Sequence, residues 1–331
     1  METARMKVVF MGSGEIGLPS LEWLRTRHDL VAVVAQPDKP AGRKQTLTPP
    51  PTKAFAREHG IPVLQPGRVR DPRAVAEIAA FEPEVIVVMA YGQILPEAVL
   101  SLPRLACLNL HASLLPKYRG AAPIQAAIEA GEGETGITVI WMDKGLDTGN
   151  ILGMKPLAIR RRETGATLHD RLAELAPLAL ADAMEALAAG TAPSIVQDHE
   201  NATYAPKLSR ESGVIDWHAS SAAIDRRVRA MNPWPAASTS LVDPVSGAPR
   251  RLKIFSLIRH TRDRGTEHPG AQPGEVLRAD ERGLLIATGE GGPVLLREIQ
   301  LEGKRRMSAR DFLHGHPVAP GTRLGGGPGA S

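Results

Sequence analysis

Two periods of apolar and polar positions run along this chain and sort it into elements. Residues 7–11 form an apolar run of strand length, followed by the glycine-broken turn Gly12-Ser-Gly-Glu-Ile-Gly17. A helical pattern then opens around Pro19, with Leu21 and Leu24 on one face, and residues 30–35 read as a second strand. Residues 51–59 read as a helix and Val63-Leu64 as a short strand. Asp71, with Pro72 behind it, reads as the N-cap and first turn of a helix reaching Ala80. Residues 85–89 are continuously apolar, the mark of a central parallel strand. Residues 105–110 repeat that pattern. A helix over 123–130, a strand over 136–142 and a long amphipathic helix over 167–189, closed by Gly190, complete the first part. Strand–helix–strand order throughout predicts an α/β fold with a doubly wound, mostly parallel, Rossmann-like sheet.

The pattern changes after residue 195. Residues 196–209 have no sustained period and read as a linker. A helix over 222–231 carries Arg226, Arg227 and Arg229 and stops at Asn232-Pro-Trp-Pro235. Short strand-like runs follow at 238–241, 251–257, 274–277, 284–287 and 294–300, separated by turn residues. They predict a small antiparallel β-barrel of OB-like type. The expected domains are therefore 1–195, a linker over 196–209, a barrel over 210–315, and a disordered Gly/Pro-rich tail over 316–331.

Composition narrows the class. The chain has 331 residues, 43% of them hydrophobic, enough for two cores. Its one cysteine, Cys107, rules out internal disulfides and a four-cysteine zinc site, and no metal is expected. No apolar run has membrane-spanning length, and the N-terminus enters a strand without a basic start and apolar core. A cytoplasmic monomer is expected. The net charge of +4 is unevenly placed: from Lys207 onward 19 Lys and Arg face 13 Asp and Glu, a net +6. That excess predicts an anionic partner for the second domain, or a solvated basic face. Aromatic residues make up only 4% of the chain, so phosphate and shape contacts would outweigh base stacking.

Candidate chemistry gathers around residues 105–125. Asn109 and His111 stand two apart in a strand, so both side chains leave one face. Ser113, Pro116, Gly120 and Pro123 then force a loop. An amide can donate to a developing oxyanion, and an imidazole exchanges a proton near neutral pH. Downstream, Asp143 and Asp147 share a glycine-broken loop; Asp143 reads as a turn cap, while Asp147 fits a cap or a functional carboxylate equally. The trio suits direct acyl transfer to an amine, since no residue resembles an activated nucleophile and the glycine-flanked elbow of a hydrolase is absent. Two rivals stay open. Gly12, Gly14 and Gly17, with Asp38 beyond, match a dinucleotide fingerprint. The stretch 36–51, rich in proline and carrying Lys39, Arg43 and Lys44, is expected to be an irregular loop on the active face, either a phosphate contact or a plain surface loop.

Several motifs together are more specific. Asn109-Leu-His111, Ser113-Leu-Leu-Pro116, Arg119-Gly-Ala-Ala-Pro-Ile-Gln125 and Met142-Asp-Lys-Gly-Leu-Asp-Thr-Gly149 resemble the signature of the folate-dependent formyltransferase family. Gln36-Pro-Asp-Lys-Pro-Ala-Gly-Arg43, Tyr204-Ala-Pro-Lys-Leu208 and Asn232-Pro-Trp-Pro235 resemble the branch of that family that acts on initiator methionyl-tRNA. The resemblance implies 10-formyltetrahydrofolate as donor and Asn109, His111 and Asp147 as the catalytic residues. It implies a folate site formed by Met89, Ala90, Tyr91 and Gly92 together with Ser113, Leu114, Leu115 and Pro116. Arg43 and Lys44, and with them Arg305 and Arg306, would meet tRNA. The chain departs from the family pattern at Ser13-Gly14 with Ile16, and at Lys44-Gln45-Thr46.

Overall fold

The computed structural model describes residues 5–42, 45–243, 247–260 and 270–325. Two compact units divide the chain. The first comprises Met1–Ala127, Gly133–Ile159 and Thr167–Lys207; the second comprises Ile128–Glu132, Arg160–Ala166 and Leu208–Ser331.

The first unit is built on strands β1 (Lys7–Gly12), β2 (Asp29–Val34), the short pair β3 (Lys39–Ala41) and β4 (Thr46–Thr48), β5 (Val63–Leu64), β6 (Val85–Met89), β7 (Ala106–His111), β8 (Arg119–Gly120), β9 (Glu134–Trp141), β10 (Ile151–Ala158) and β11 (Tyr204–Ala205). Seven of them form one sheet in the order β10-β9-β7-β6-β1-β2-β5. The five strands from β7 across to β5 are parallel, and β9 and β10 add an antiparallel edge. All five residues of β6 are buried, as its unbroken apolar run requires. Chain order reverses between β1 and β6, so their carboxyl ends open the crevice where such sheets place ligands. Gly12 pairs with Met89 there, and Ser13 N donates to Ala90 O at 3.2 Å.

The glycine fingerprint has a packing cause. A Cβ on Gly12 would sit 2.4 Å from Met89 O and 2.6 Å from the Phe10 ring, and one on Gly17 would sit 2.8 Å from the same ring. Both glycines make room for buried Phe10. Asp38, the would-be ribose contact, accepts from Lys53 Nζ at 2.7 and 2.8 Å and from Gln65 Nε2 at 2.8 Å. The dinucleotide alternative therefore loses both its turn and its acid.

Helices α1 (Leu18–Arg27), α2 (Pro51–Glu58), α3 (Pro72–Ala79), α4 (Glu97–Leu100) and α5 (Pro123–Ala130) follow their strands closely, and α6 (Gly165–Ala188) is the long amphipathic helix. Asp71 takes the N-cap position of α3 but makes no side-chain cap bond; Pro72 alone starts the helix. The stretch 36–51 is more regular than its prolines suggest. β3 and β4 pair antiparallel, because Pro40 stands opposite Leu47 in an isolated two-stranded ribbon with free edges. Arg43 and Lys44 lie outside the described residues.

The supposed linker over 196–209 belongs to the first unit as far as Lys207. β11 pairs parallel with β8, and Gln197 is 3% exposed. The segment shows no period because side-chain hydrogen bonds and a two-residue bridge hold it, not an apolar face.

The second unit carries α7 (Ser221–Ala230), β12 (Ala237–Val242), β13 (Pro249–Arg259), β14 (Val276–Asp280), β15 (Gly283–Ile286), β16 (Val294–Leu301), β17 (Met307–Ser308) and α8 (Ala309–Gly315). The antiparallel sheet runs β12-β13-β16-β15-β14, with β17 on β16. Register shifts in β13 between Ile254 and Leu257 bend it. Trp217, Val228, Ile254, Leu296 and Phe312 form the core. The polar end of Trp217 is satisfied by Thr239 Oγ1 at 3.0 Å. Residues 316–325, expected to be disordered tail, are folded onto this sheet. Val276 N donates to Thr322 O, Leu324 N to Gly274 O, and Gly325 N to Ser240 O, all within 3.0 Å. Leu324 is 3% exposed in the core and Val318 packs against the same cluster, which anchors a stretch whose composition suggests disorder. Residues 326–331 lie outside the described ones.

Candidate active site

Parallel pairing of β6 with β7 puts Asn109 beside Val88, next to the crevice. Asn109 and His111 emerge from one face of β7 and reach one carboxylate. Asn109 Nδ2 donates to Asp147 Oδ1 at 3.2 Å, and His111 Nδ1 lies 3.6 Å from Asp147 Oδ2. Gly120 N donates to that same Oδ2 at 2.8 Å. The three residues read from sequence are thus brought together, within the first unit.

Their roles differ in detail from the simplest triad. His111 Nε2 lies 2.8 Å from Tyr118 O, and a carbonyl only accepts, so Nε2 carries the hydrogen. The Tyr118 carbonyl orients the ring. Asp147 stands beyond hydrogen-bond reach of Nδ1 and faces it as a charge. Nδ1 is the nitrogen left for proton exchange, and the second N–H of Asn109 is left for an acceptor. His111 is 5% exposed, while Asn109 and Asp147 are half-buried, so the imidazole is the group most shielded from water.

The loop that delivers Asp147 is tightly made. Asp143 accepts from Gly145 N at 3.0 Å and Thr148 Oγ1 at 2.7 Å, which makes it the turn cap its sequence suggests. Gly149 lies against Trp141 O, where a Cβ would stand 1.7 Å away. Asp147 itself has a φ of 54°, in the left-handed region that costs a side-chain-bearing residue about 1 kcal/mol. Gln197 Nε2 donates to Asp147 O at 2.8 Å and Gly149 O at 2.7 Å. Arg119, 2% exposed, donates in turn to Gln197 Oε1 from Nε at 3.2 Å and Nη2 at 2.7 Å. Sequence reasoning missed Gln197, because nothing in a stretch without period marks one amide as buried.

The expected folate segments fall on either side of the trio. After β6, Ala90 and Gly92 are exposed with φ of 51° and 85°, and they curl the chain at the crevice mouth. Met89 and Tyr91 point into the core; burial pushes the Tyr91 phenol up to about 12, and its hydroxyl has no hydrogen-bond partner. After β7, Ser113 is fully buried and donates to Lys117 O at 2.6 Å. Its hydroxyl shapes the loop and faces no solvent. Thr138 Oγ1 accepts from Leu115 N at 3.1 Å and donates to Ser113 O at 2.6 Å, pinning the same loop to β9. Leu114 and Pro116 are half-buried and Leu115 is buried. In the second unit, Arg305 is exposed, while Arg306 lies 4.1 Å over the Phe255 ring and pairs with Glu298.

An amide, an imidazole and a carboxylate converging beside the switch point of a mostly parallel sheet suit acyl transfer to an amine, and the class of proteins that the two domains match is that of formyl-transferring enzymes. Residues 6–184 match the family model Formyl transferase, and residues 207–317 match Formyl transferase, C-terminal domain. Among solved structures, HypX from Aquifex aeolicus in complex with tetrahydrofolic acid shares the fold, with a TM-score of 0.63 at 18% identity over 94% of this chain and 47% of that one. WlaRD, a sugar 3N-formyl transferase, shares it with a TM-score of 0.61 at 18% identity over 91% of this chain and 100% of that one. Curated relatives are far more similar. A methionyl-tRNA formyltransferase of Methylacidiphilum infernorum is 47% identical over 97% of this chain and 98% of its own length. Those of Geotalea uraniireducens and Pseudomonas fluorescens are 44% and 46% identical, over 97% and 98% of this chain and 99% and 98% of theirs. The chain belongs to the methionyl-tRNA formyltransferase family.

Proposed function

We infer that this protein transfers the formyl group of 10-formyltetrahydrofolate to the α-amino group of methionine on initiator tRNA, the formylation that precedes translation initiation. The convergence of Asn109 and His111 on the Asp147 carboxylate carries this reading. The neutral amine attacks the formyl carbon directly. As the carbonyl oxygen gains charge it accepts from the free N–H of Asn109. His111 Nδ1 takes the proton that the attacking nitrogen sheds, and Asp147 balances the imidazolium. The bond from carbon to N10 then breaks, N10 takes up a proton, and tetrahydrofolate leaves. No covalent enzyme intermediate forms.

The fit to the folate donor rests on the crevice mouth. Ala90 and Gly92 leave open backbone there, with nothing within 4 Å of where a Gly92 Cβ would stand. Met89–Gly92 on one side and the Ser113–Pro116 loop on the other would hold the pterin and place the formyl group by Asn109. Asn109, His111 and Asp147 need no metal for this chemistry. The second unit would take the tRNA. Its sheet reads as an OB-like barrel, since residues 322–325 bond to both outer strands, β12 and β14. Arg305 offers an exposed cation, and Arg43 and Lys44 are read as tRNA contacts from the sequence alone. The enzyme would work as a cytoplasmic monomer.

Formyl transfer from 10-formyltetrahydrofolate to charged initiator methionyl-tRNA, beside elongator methionyl-tRNA, tests the reading. Transfer to the initiator alone is expected. Folate binding with no transfer to either tRNA would overturn it and favour another amine acceptor.

A further inference from the structure

Asp147 is asked to hold an unfavourable backbone conformation while its carboxylate serves Asn109 and Gly120 at once. A residue in that conformation persists only where its surroundings hold it there. Gln197 supplies the hold. Gln197 is 3% exposed and places both of its N–H bonds on carbonyls of that loop, Asp147 O and Gly149 O. Its oxygen accepts twice from Arg119. The amide can sit only one way round, because carbonyls do not donate and a guanidinium does not accept. Arg119 therefore sets which end of Gln197 faces the loop. Arg119 Nη2 also donates to His199 Nδ1 at 3.0 Å, and Arg119 N donates to Thr203 O at 2.8 Å. The next residue, Gly120, is the one whose N–H holds the Asp147 carboxylate.

We propose that Gln197 is a positioning residue: its amide, locked by Arg119, holds the Asp147 main chain in the conformation that aims the carboxylate at Asn109 and His111. The proposal rests on the reading of those three residues as the reacting site. Gln197 touches no substrate. It acts on rate through geometry, and displacing a catalytic group by an ångström can cost about 100-fold.

Two substitutions separate positioning from simple structural support. Gln197→Glu keeps an oxygen partner for Arg119 and loses both donors to the loop carbonyls. Gln197→Met removes both interactions. Gln197→Glu should melt within a few degrees of the parent, with KM for folate donor and tRNA within about threefold, while kcat falls about 10- to 100-fold. Gln197→Met should lose kcat and also melt earlier, because it strips a buried guanidinium of its main partner. If Gln197→Glu keeps the parent kcat, or if kcat falls only where the melting temperature falls with it, the proposal is overturned. Asp147→Ala run in parallel isolates the underlying reading. A parent-like rate there sinks both ideas, whereas a slow Asp147→Ala beside a fast Gln197→Glu sinks the positioning role alone.

Discussion

Thr138→Val probes how the sheet holds the proposed folate loop. Thr138 is fully buried on β9, and its hydroxyl both accepts from Leu115 N and donates to Ser113 O. Valine keeps the shape and opens no cavity, but leaves a buried N–H and a buried carbonyl unpaired. Each such loss costs about 1–3 kcal/mol, so the two together cost roughly 2–6 kcal/mol. Amide exchange at Leu115 reads it directly. If the amide exchanges by local opening, that cost makes its exchange about 30- to 25,000-fold faster. The folate KM should rise with it, because the loop samples other conformations. Amides in the second unit, such as Ile254, should be unchanged. Exchange at Leu115 within about threefold of the parent would refute the pinning role and leave the loop conformation to its own turn bonds.

Further outcomes follow from other contacts. His111→Ala and Asn109→Ala should each lower kcat about 10²- to 10⁴-fold with intact folding, read by single-turnover formyl transfer. Cys107 is buried and its thiol is pushed up to about 12 by desolvation, so it should resist alkylation at pH 8 until denaturant is added. Asp38 is held below its ordinary range by the Gln65 and Lys53 hydrogen bonds. A carboxyl with a lowered folded pKa stabilises above its ordinary pKa and loses that contribution as pH falls through the folded value. Asp38→Asn should therefore destabilise at pH 7, and the difference from the parent should shrink below the ordinary aspartate range, as followed by urea midpoints.

The sheet was legible because burial writes itself into sequence as period. β1, β6 and β7 are apolar runs of strand length, and the five longer strands of the second unit lie within a few residues of where their sequence runs place them. Asn109 and His111 stood out for the same reason in reverse, as polar residues in an apolar run. What escaped were elements held by partners distant in the sequence. Gln197 looks like any linker residue until Arg119 is seen opposite it. Leu324 sits among glycines and an arginine, yet it fills a core position. The β3–β4 ribbon is allowed prolines because its edges are free. In each case the deciding partner lies far along the chain, where no local pattern reports it.

The same distinction governs the charge of the second unit. Its sequence carries a net +6 from Lys207 onward, but several of its arginines have internal work. Arg226 donates to Glu129 O, Arg227 pairs with the Glu129 carboxylate, and Arg229 pairs with Asp225. Arg250 joins Asp243 to Glu302 O, and Arg306 is taken by Glu298 and Phe255. These arginines bond to groups of their own unit, and releasing them to a phosphate would break those bonds for a contact of similar worth. Exposed Lys304 and Arg305 carry no such obligation in their side chains. A polyanion would therefore feel the whole field at a distance but be gripped by a few side chains at contact. Net charge governs how fast such a partner arrives, and the unpaired cations decide where it settles.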